Sequence, residues 1–194
     1  RLRQVVADLD RRGLRPPLVH AANSGTLLRR PAVARFDAVR PGLALYGVSP
    51  LPQATRDTPL RPVMTIRSTI ALVKDVPPGQ GVSYGHVWCA AVPSRIAALP
   101  IGYADGYPRA LSNRGLVRIL GHLAPVVGTV CMDTILVDVT RVPQATVGTP
   151  VIVLEADAEG PLGVWAWARA AGTIPYELLT HVGARVRRVF VDNA

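Results

Sequence analysis

Met64-Thr65-Ile66-Arg67-Ser68-Thr69-Ile70-Ala71-Leu72-Val73 is the stretch whose reading decides the fold. Met64, Ile66, Ser68, Ile70 and Leu72 alternate with Thr65, Arg67, Thr69, Ala71 and Val73, which is the two-residue period of a strand. Just before it, residues 48–62 are rich in proline and polar residues and read as a linker, with a boundary near Asp57. The chain is therefore expected to divide into domains at 1–57 and 58–194. Downstream, further short strands are expected at 95–101, 115–120, 124–138, 150–154 and 185–191, separated by Gly or Pro turns. Residues 58–194 thus read as a mainly β domain, a barrel or sandwich. One helical insertion interrupts it: Pro161 starts a segment through Val164, Trp165, Ala168 and Ala171 that Gly172 ends. Thr173-Ile174-Pro175-Tyr176-Glu177 begins another short helical piece.

Upstream of the linker the period is different. Leu2, Val5, Val6 and Leu9 recur at helical spacing, and Arg11, Arg12 and Gly13 stop the helix. A helix opening at Arg1 without a cap reads as the remainder of a longer one. Pro17-Leu18-Val19-His20-Ala21-Ala22-Asn23-Ser24-Gly25 is a short apolar run that ends in small and polar residues. It suits a buried parallel strand whose C-terminal end carries function, with Ser24 capping the helix that follows. A second such unit runs from Phe36 to Gly42 and on through Leu43-Ala44-Leu45-Tyr46-Gly47. Gly42, at the start of a helical turn, would leave backbone N–H groups free to meet an anion.

Composition narrows the function classes. The 194 residues are 49% hydrophobic, ample for a core, yet Arg, Pro or Gly interrupts every apolar run before it could cross a bilayer. The chain opens Arg1-Leu2-Arg3-Gln4 with no secretory leader, which points to the cytoplasm. Cys89 and Cys131 form no ligand spacing, so reduced thiols are expected and a metal site is not. The formal net charge of +9 raises nucleic acid as a partner. Its distribution argues against one. Residues 1–57 carry 10 basic and 4 acidic side chains, residues 58–194 carry 12 and 9, and no aromatic side chains interleave with a basic run.

Four clusters carry chemistry. In Gly81-Val82-Ser83-Tyr84-Gly85-His86 a tyrosine sits on a glycine-flanked turn, where its phenol can donate, accept or lose a proton. Ile101-Gly102-Tyr103-Ala104-Asp105-Gly106-Tyr107 packs two tyrosines, an aspartate and two glycines into one turn. Gly128-Thr129-Val130-Cys131-Met132-Asp133 ends an apolar strand with an acid. Tyr176 stands at a helix start.

In this order the segments SYG (83–85), GYADGY (102–107), GTVCMD (128–133) and TIPYE (173–177), with HAANS (20–24) and RPGLALYG (40–47) before them, resemble the alanine racemase family over essentially the whole chain. The resemblance implies the C-terminal part of a (β/α)8 barrel followed by a mainly β, barrel-like domain. It implies pyridoxal 5'-phosphate as cofactor, alanine as substrate, and a head-to-tail homodimer that shares its sites and works in D-alanine supply for peptidoglycan. Tyr84 matches the base that handles the α-proton of L-alanine and reaches the partner subunit's cofactor. Tyr103 is implied to line the substrate entrance, Met132 to contact substrate through its backbone, and Asp133 to sit at the mouth of the site. Ser24, Gly42 and Leu43 match phosphate-binding positions, to which Tyr176 adds a phenol. Arg40 matches the arginine facing the pyridine nitrogen, and His20 the histidine that supports it.

Those residue types suit the chemistry. A phenol, ordinarily near ~10, serves as a base only where its surroundings favour the phenolate. An arginine at the pyridine nitrogen donates a hydrogen bond without giving up its proton, which keeps the ring a weaker electron sink. Two departures stand out. The family joins its cofactor to a lysine early in the barrel, which also serves as the second base, whereas the single lysine here, Lys74, sits beside Asp75 on a strand and reads as a surface residue. The chain alone is therefore expected to be inactive. Arg187 stands where the family commonly has proline. Racemases of serine or lysine, and a non-catalytic β-domain dimerisation module, are the alternatives.

Overall fold

Leu2, Val5, Val6 and Leu9 share one face of α1 (Leu2–Arg11), the first element of a computed structural model that describes residues 1–30, 32, 36–51 and 60–191. The helix ends as its sequence predicts, with Gly13 in the left-handed region at φ +68°. Within the first unit, Arg1–Pro62, β1 (His20–Asn23) and β2 (Ala38–Arg40) pair in parallel, and α2 (Ser24–Arg29) lies between them in sequence. The expected boundary near Asp57 lies outside the described residues.

Two expectations for this unit are corrected. The parallel pairing holds, but β1 is half-buried or exposed along its length, because the described sheet has only two strands. The cap of α2 is Asn23, not Ser24: Asn23 is extended, and its Oδ1 accepts the Thr26 N–H at 3.0 Å. Ala22, at φ +65°, breaks the register so that Asn23 rather than Ala22 faces Arg40. That one-residue slip makes Asn23 the cap and releases the Ser24 side chain. Asp37 ties the start of the strand pair, accepting the Val19 N–H at 2.8 Å and Arg15 Nη2 at 2.8 Å.

The second unit, Val63–Ala194, is built on the stretch 64–73, but as two strands rather than one. These are β3 (Ile66–Thr69) and β4 (Leu72–Val76), parted by Ile70 and Ala71. Further strands follow: the short pair β5 (Gly81–Val82) and β6 (Trp88–Cys89), then β7 (Ser94–Leu99), β8 (Leu116–Ile119), β9 (His122–Val127), β10 (Ile135–Asp138) and β11 (Pro150–Leu154). Seven of them form one antiparallel sheet in the order β3-β11-β8-β9-β10-β7-β4. Its two edge strands are β3 and β4, the two halves of the opening stretch. Six strand spacings would hold flat edges roughly 29 Å apart. Thr69 and Leu72 can be no more than about 11 Å apart along the chain. The sheet must therefore curl almost shut.

Ile70 is the corner. Its N–H donates to Thr149 O on the β11 side, and the next N–H, that of Ala71, donates to Ala98 O on the β7 side. The alternation breaks there: Ile70 is 1% exposed and Leu72 55%. Val117, Ile119, Val126, Ile135, Val137, Val151 and Val153 fill the interior.

Three more boundaries move. The expected strand 124–138 is two strands, because residues 128–134 leave the ladder to make a turn. The insertion helix α3 (Val164–Ala171) starts after Gly163, three residues beyond Pro161, and closes at Gly172 in the left-handed region as predicted. α4 (Pro175–Thr180) follows with proline at its first position. Residues 185–191 form no strand; Val189, Phe190 and Val191 are exposed, and Arg185 is drawn into ion pairs instead.

Truncating the corner residue, Ile70→Ala, is expected to cost the second unit about 2–5 kcal/mol, whereas Leu72→Ala should change stability by less than about 0.5 kcal/mol. Urea unfolding followed by tryptophan fluorescence measures both, since Trp88, Trp165 and Trp167 all lie in this unit.

Candidate functional site

Tyr84 lies in the turn of the β5–β6 hairpin, and the backbone there is bent as few side chains tolerate. Ser83, Gly85 and His86 have φ of +62°, +72° and +47°, a region that costs roughly 1–3 kcal/mol for each non-glycine residue. Val82 and Trp88 pack the hairpin's base onto Val76, Ala90, Ile96 and Val127. Tyr84 is turned outward, 76% exposed.

The turn 128–133 holds this tip. Ser83 Oγ donates to Thr129 O at 2.6 Å, and Thr129 Oγ1 donates back to Tyr84 O at 2.8 Å. Gly128 permits the approach: it has φ +76°, and a Cβ on it would stand 2.7 Å from Ser83 Cβ. Asn113 Oδ1 accepts the Gly128 N–H at 2.6 Å and Ser112 Oγ accepts the Val130 N–H at 2.9 Å, so a third loop pins the same turn. Cys131 Sγ lies 3.5 Å from Ser83 Oγ, and both cysteines are free.

The GYADGY turn joins the same six residues. The Tyr103 and Ala104 N–H groups donate to Cys131 O and Met132 O, each at 3.0 Å. Gly102 makes this contact possible, since a Cβ there would lie 2.3 Å from both carbonyl oxygens. The result sets Tyr103 and Met132 side by side, 45% and 53% exposed. Asp105 Oδ2 accepts the Gly102 N–H at 2.8 Å, and Arg185 forks onto both oxygens of Asp105 at 2.6 and 3.1 Å while reaching Asp133 at 2.5 Å. The Arg185 guanidinium, and then the Gly102 N–H, hold the Asp105 carboxyl below its ordinary range against the opposing effect of burial. Tyr107 belongs to the core. It is 1% exposed, its ring meets Trp167 edge-on at 5.0 Å, and burial pushes its phenol far up.

Tyr176 follows Pro175 in the first turn of α4 and is half exposed, with the Thr173 hydroxyl bonded to the carboxylate of Glu177 below it.

In the first unit, Arg40 Nη1 lies 2.7 Å from His20 Nδ1 and 3.1 Å from His20 O. A guanidinium offers only donors, so the contact requires the lone pair of Nδ1 and places the ring proton on Nε2. Ser24, 2% exposed, accepts the Gly42 and Ala44 N–H groups on Oγ at 3.0 and 3.1 Å. The Gly42 N–H is therefore not free, as its position in the sequence suggests; Ser24 Oγ is its partner. Leu43 is buried between them.

The structure thus gathers Tyr84, Tyr103, Met132 and Asp133 around 128–133, and His20, Ser24, Arg40, Gly42 and Leu43 around the ends of β1 and β2. Among the described residues no group of three or more His, Cys, Asp and Glu is placed to hold a metal ion, and no helix is long and apolar enough to cross a membrane. Lys74 is exposed on β4. Arg185, Ser112 and Asn113 escape a reading by motif, because what recruits them is proximity across 15 to 80 residues of chain.

Comparison with known proteins bears on the whole chain. Residues 1–50 match the family model for the alanine racemase N-terminal domain, and residues 63–190 that for the alanine racemase C-terminal domain. An alanine racemase of Streptomyces coelicolor is 43% identical over 195 residues, covering 100% of this chain and 49% of the relative. The crystal structure of alanine racemase from a D-cycloserine producing Streptomyces lavendulae superposes with TM-score 0.89 at 41% identity, over 99% of this chain and 50% of that one. Alanine racemase from Bartonella henselae, with covalently bound pyridoxal phosphate, superposes with TM-score 0.79 at 34% identity, over 98% and 52%. The chain spans about half the length of the curated relatives it matches. The expected fold class, the C-terminal part of a (β/α)8 barrel followed by a mainly β, barrel-like domain, is borne out.

A carboxyl held low by the fold adds stability above its unfolded value and loses it as pH falls through the folded one. Asp105 is therefore expected to titrate below the ordinary aspartate value of about 3.9. Carbon-13 carboxyl NMR should show this, and Arg185→Gln should return the titration toward the ordinary value.

Proposed function

The chain belongs to the alanine racemase family, and on that premise we propose that it works in the interconversion of L- and D-alanine, with Tyr84 taking or returning the α-proton on the L-alanine side. The observation that carries this is the Tyr84 turn. A solvent-facing phenol on a backbone of three positive-φ residues, cross-braced to a second turn, has no packing role. Its placement suits a group that must meet another molecule. Tyr103 and Met132 would flank the substrate, and Asp133 the mouth of the site.

The first unit fits pyridoxal phosphate. Ser24 Oγ already accepts two N–H groups, so the valence left to this buried hydroxyl is its own proton, available to a phosphate oxygen. Leu43 and Gly42 would shape that end, with the phenol of Tyr176 added. Arg40 spends Nη1 on His20 and keeps further N–H donors for a ring nitrogen, while His20 fixes its orientation. When bound, the cofactor supplies an electron sink for the pair released at the α-carbon. Arg40, donating without ceding a proton, would hold the ring nitrogen neutral.

The lysine that carries the cofactor and acts on the other face would come from elsewhere than these residues, since Lys74 is exposed beside Asp75. The domains are taken to divide near residue 57, with the β domain serving the site of a partner subunit in a head-to-tail homodimer. A cytoplasmic role in D-alanine supply for the cell wall goes with this reading.

The complete polypeptide carrying these residues, supplied with pyridoxal phosphate, should racemise alanine, and Tyr84→Phe should lower L-to-D turnover by about 10²–10⁴, read by circular dichroism of the amino acid. Undiminished turnover in Tyr84→Phe would refute the assignment of the base, and preference for serine or lysine in a substrate panel would refute alanine as the substrate. The 194 residues alone should show no racemisation, and Lys74→Arg should leave turnover unchanged.

A further inference from the structure

Arg185 comes from an irregular segment and reaches two turns at once, the one that follows β7 and the one that precedes β10. Its Nε and Nη2 meet Asp105 Oδ1 and Oδ2 at 2.6 and 3.1 Å, and Nη2 also meets Asp133 Oδ1 at 2.5 Å. Asp105 is the deeper partner, its side chain 12% exposed against 59% for Asp133. The backbone beside Arg185 is tied to the same place, since the Gly183 N–H donates to Asp105 O at 3.0 Å, and within the segment Arg188 Nη2 donates to Val182 O at 3.0 Å. One cation is thus shared by two carboxylates, one from the GYADGY turn and one from the GTVCMD turn. Remove it, and two like charges face each other where the fold needs the turns pressed together. Forked, two-acceptor geometry is what a guanidinium offers and an ammonium does not.

We propose that Arg185 is a positioning residue of the site. It sets the spacing of Tyr103 from Met132 by clamping Asp105 to Asp133, and it steadies Tyr84 at one remove through the Thr129 bond. This rests on the reading of Tyr103 and Met132 as the substrate's flanks. Tyr84 keeps its own braces at Ser83 and Thr129, so loss of the clamp falls on substrate binding more than on the proton transfer itself.

The chain has two methionines, Met64 and Met132, which makes methyl NMR of carbon-13 methionine a local gauge with its own reference. Arg185→Ala should move and broaden the Met132 signal and leave that of Met64 in place. Arg185→Lys should give an intermediate shift. Arg185→Ala combined with Asp133→Asn should recover part of the change, because the repulsion is gone, which a packing defect would not do. An unmoved Met132, equal movement of both signals in a folded chain, or no recovery with Asp133→Asn each overturns the clamp. If Arg185→Ala unfolds the chain, Asp133→Asn alone, which spares the Arg185–Asp105 pair, should still move Met132 and not Met64; an unmoved Met132 overturns it there too. In the complete racemase, Arg185→Ala should raise the KM for alanine about tenfold with kcat within about threefold; a fall in kcat with KM unchanged counts against it. A wild-type protein that does not racemise alanine would remove the functional reading, and the methyl signals would still judge the clamp.

Discussion

The carbonyl oxygens of Thr129, Cys131 and Met132 are the hub on which the rest of the second unit's site depends. They receive the Ser83 hydroxyl and the N–H groups of Tyr103 and Ala104. Each bond nets only about 1 kcal/mol. What matters is that three loops distant in sequence satisfy one short run of backbone that has left the sheet. A segment that departs from a ladder must find other partners for its polar groups, and here those partners carry the tyrosines. Gly102 and Gly128 are the steric condition of the arrangement, since a methyl group on either would occupy the space the neighbouring loop fills.

Closure of the sheet places this hub. Because β3 and β4 are halves of one stretch, the barrel's shape follows from the two residues between them, and the loops at its rim have little freedom. The alternation over 64–73 made the strand legible from its side chains. The corner was not legible, because Ile70 and Leu72 are equally apolar; only their burial, 1% against 55%, separates them. The split of 124–138 escaped for a related reason: Val130 is apolar and buried, yet it stands in the turn rather than in a strand.

Motif order was the strongest signal in the chain: it marked the turns at 83–86, 102–107 and 128–133 that the structure brings together, but not Ser112, Asn113 or Arg185. Its limit shows at 185–191, where basic and β-branched residues read as a strand but electrostatics decided otherwise. Asp105 and Asp133 are 28 residues apart, and both claim Arg185. In the first unit the same limit appears at smaller scale. Asn23 and Ser24 are both good caps by type, and the bulge at Ala22 assigns the cap to Asn23.

That assignment has a chemical consequence. A serine used as a cap spends its oxygen on the helix beside it and stays at the surface. Ser24, relieved of capping, turns inward, gathers the N–H groups of Gly42 and Ala44 on its oxygen, and keeps its own hydroxyl proton as a donor. Arg40 is constrained in a parallel way, since His20 takes one nitrogen and leaves the rest of the guanidinium presented. Each side chain is oriented by two bonds and still has a donor to give. Donors held in reserve at the ends of a strand pair suit acceptors, and the phosphate and ring nitrogen of the proposed cofactor are acceptors of both kinds.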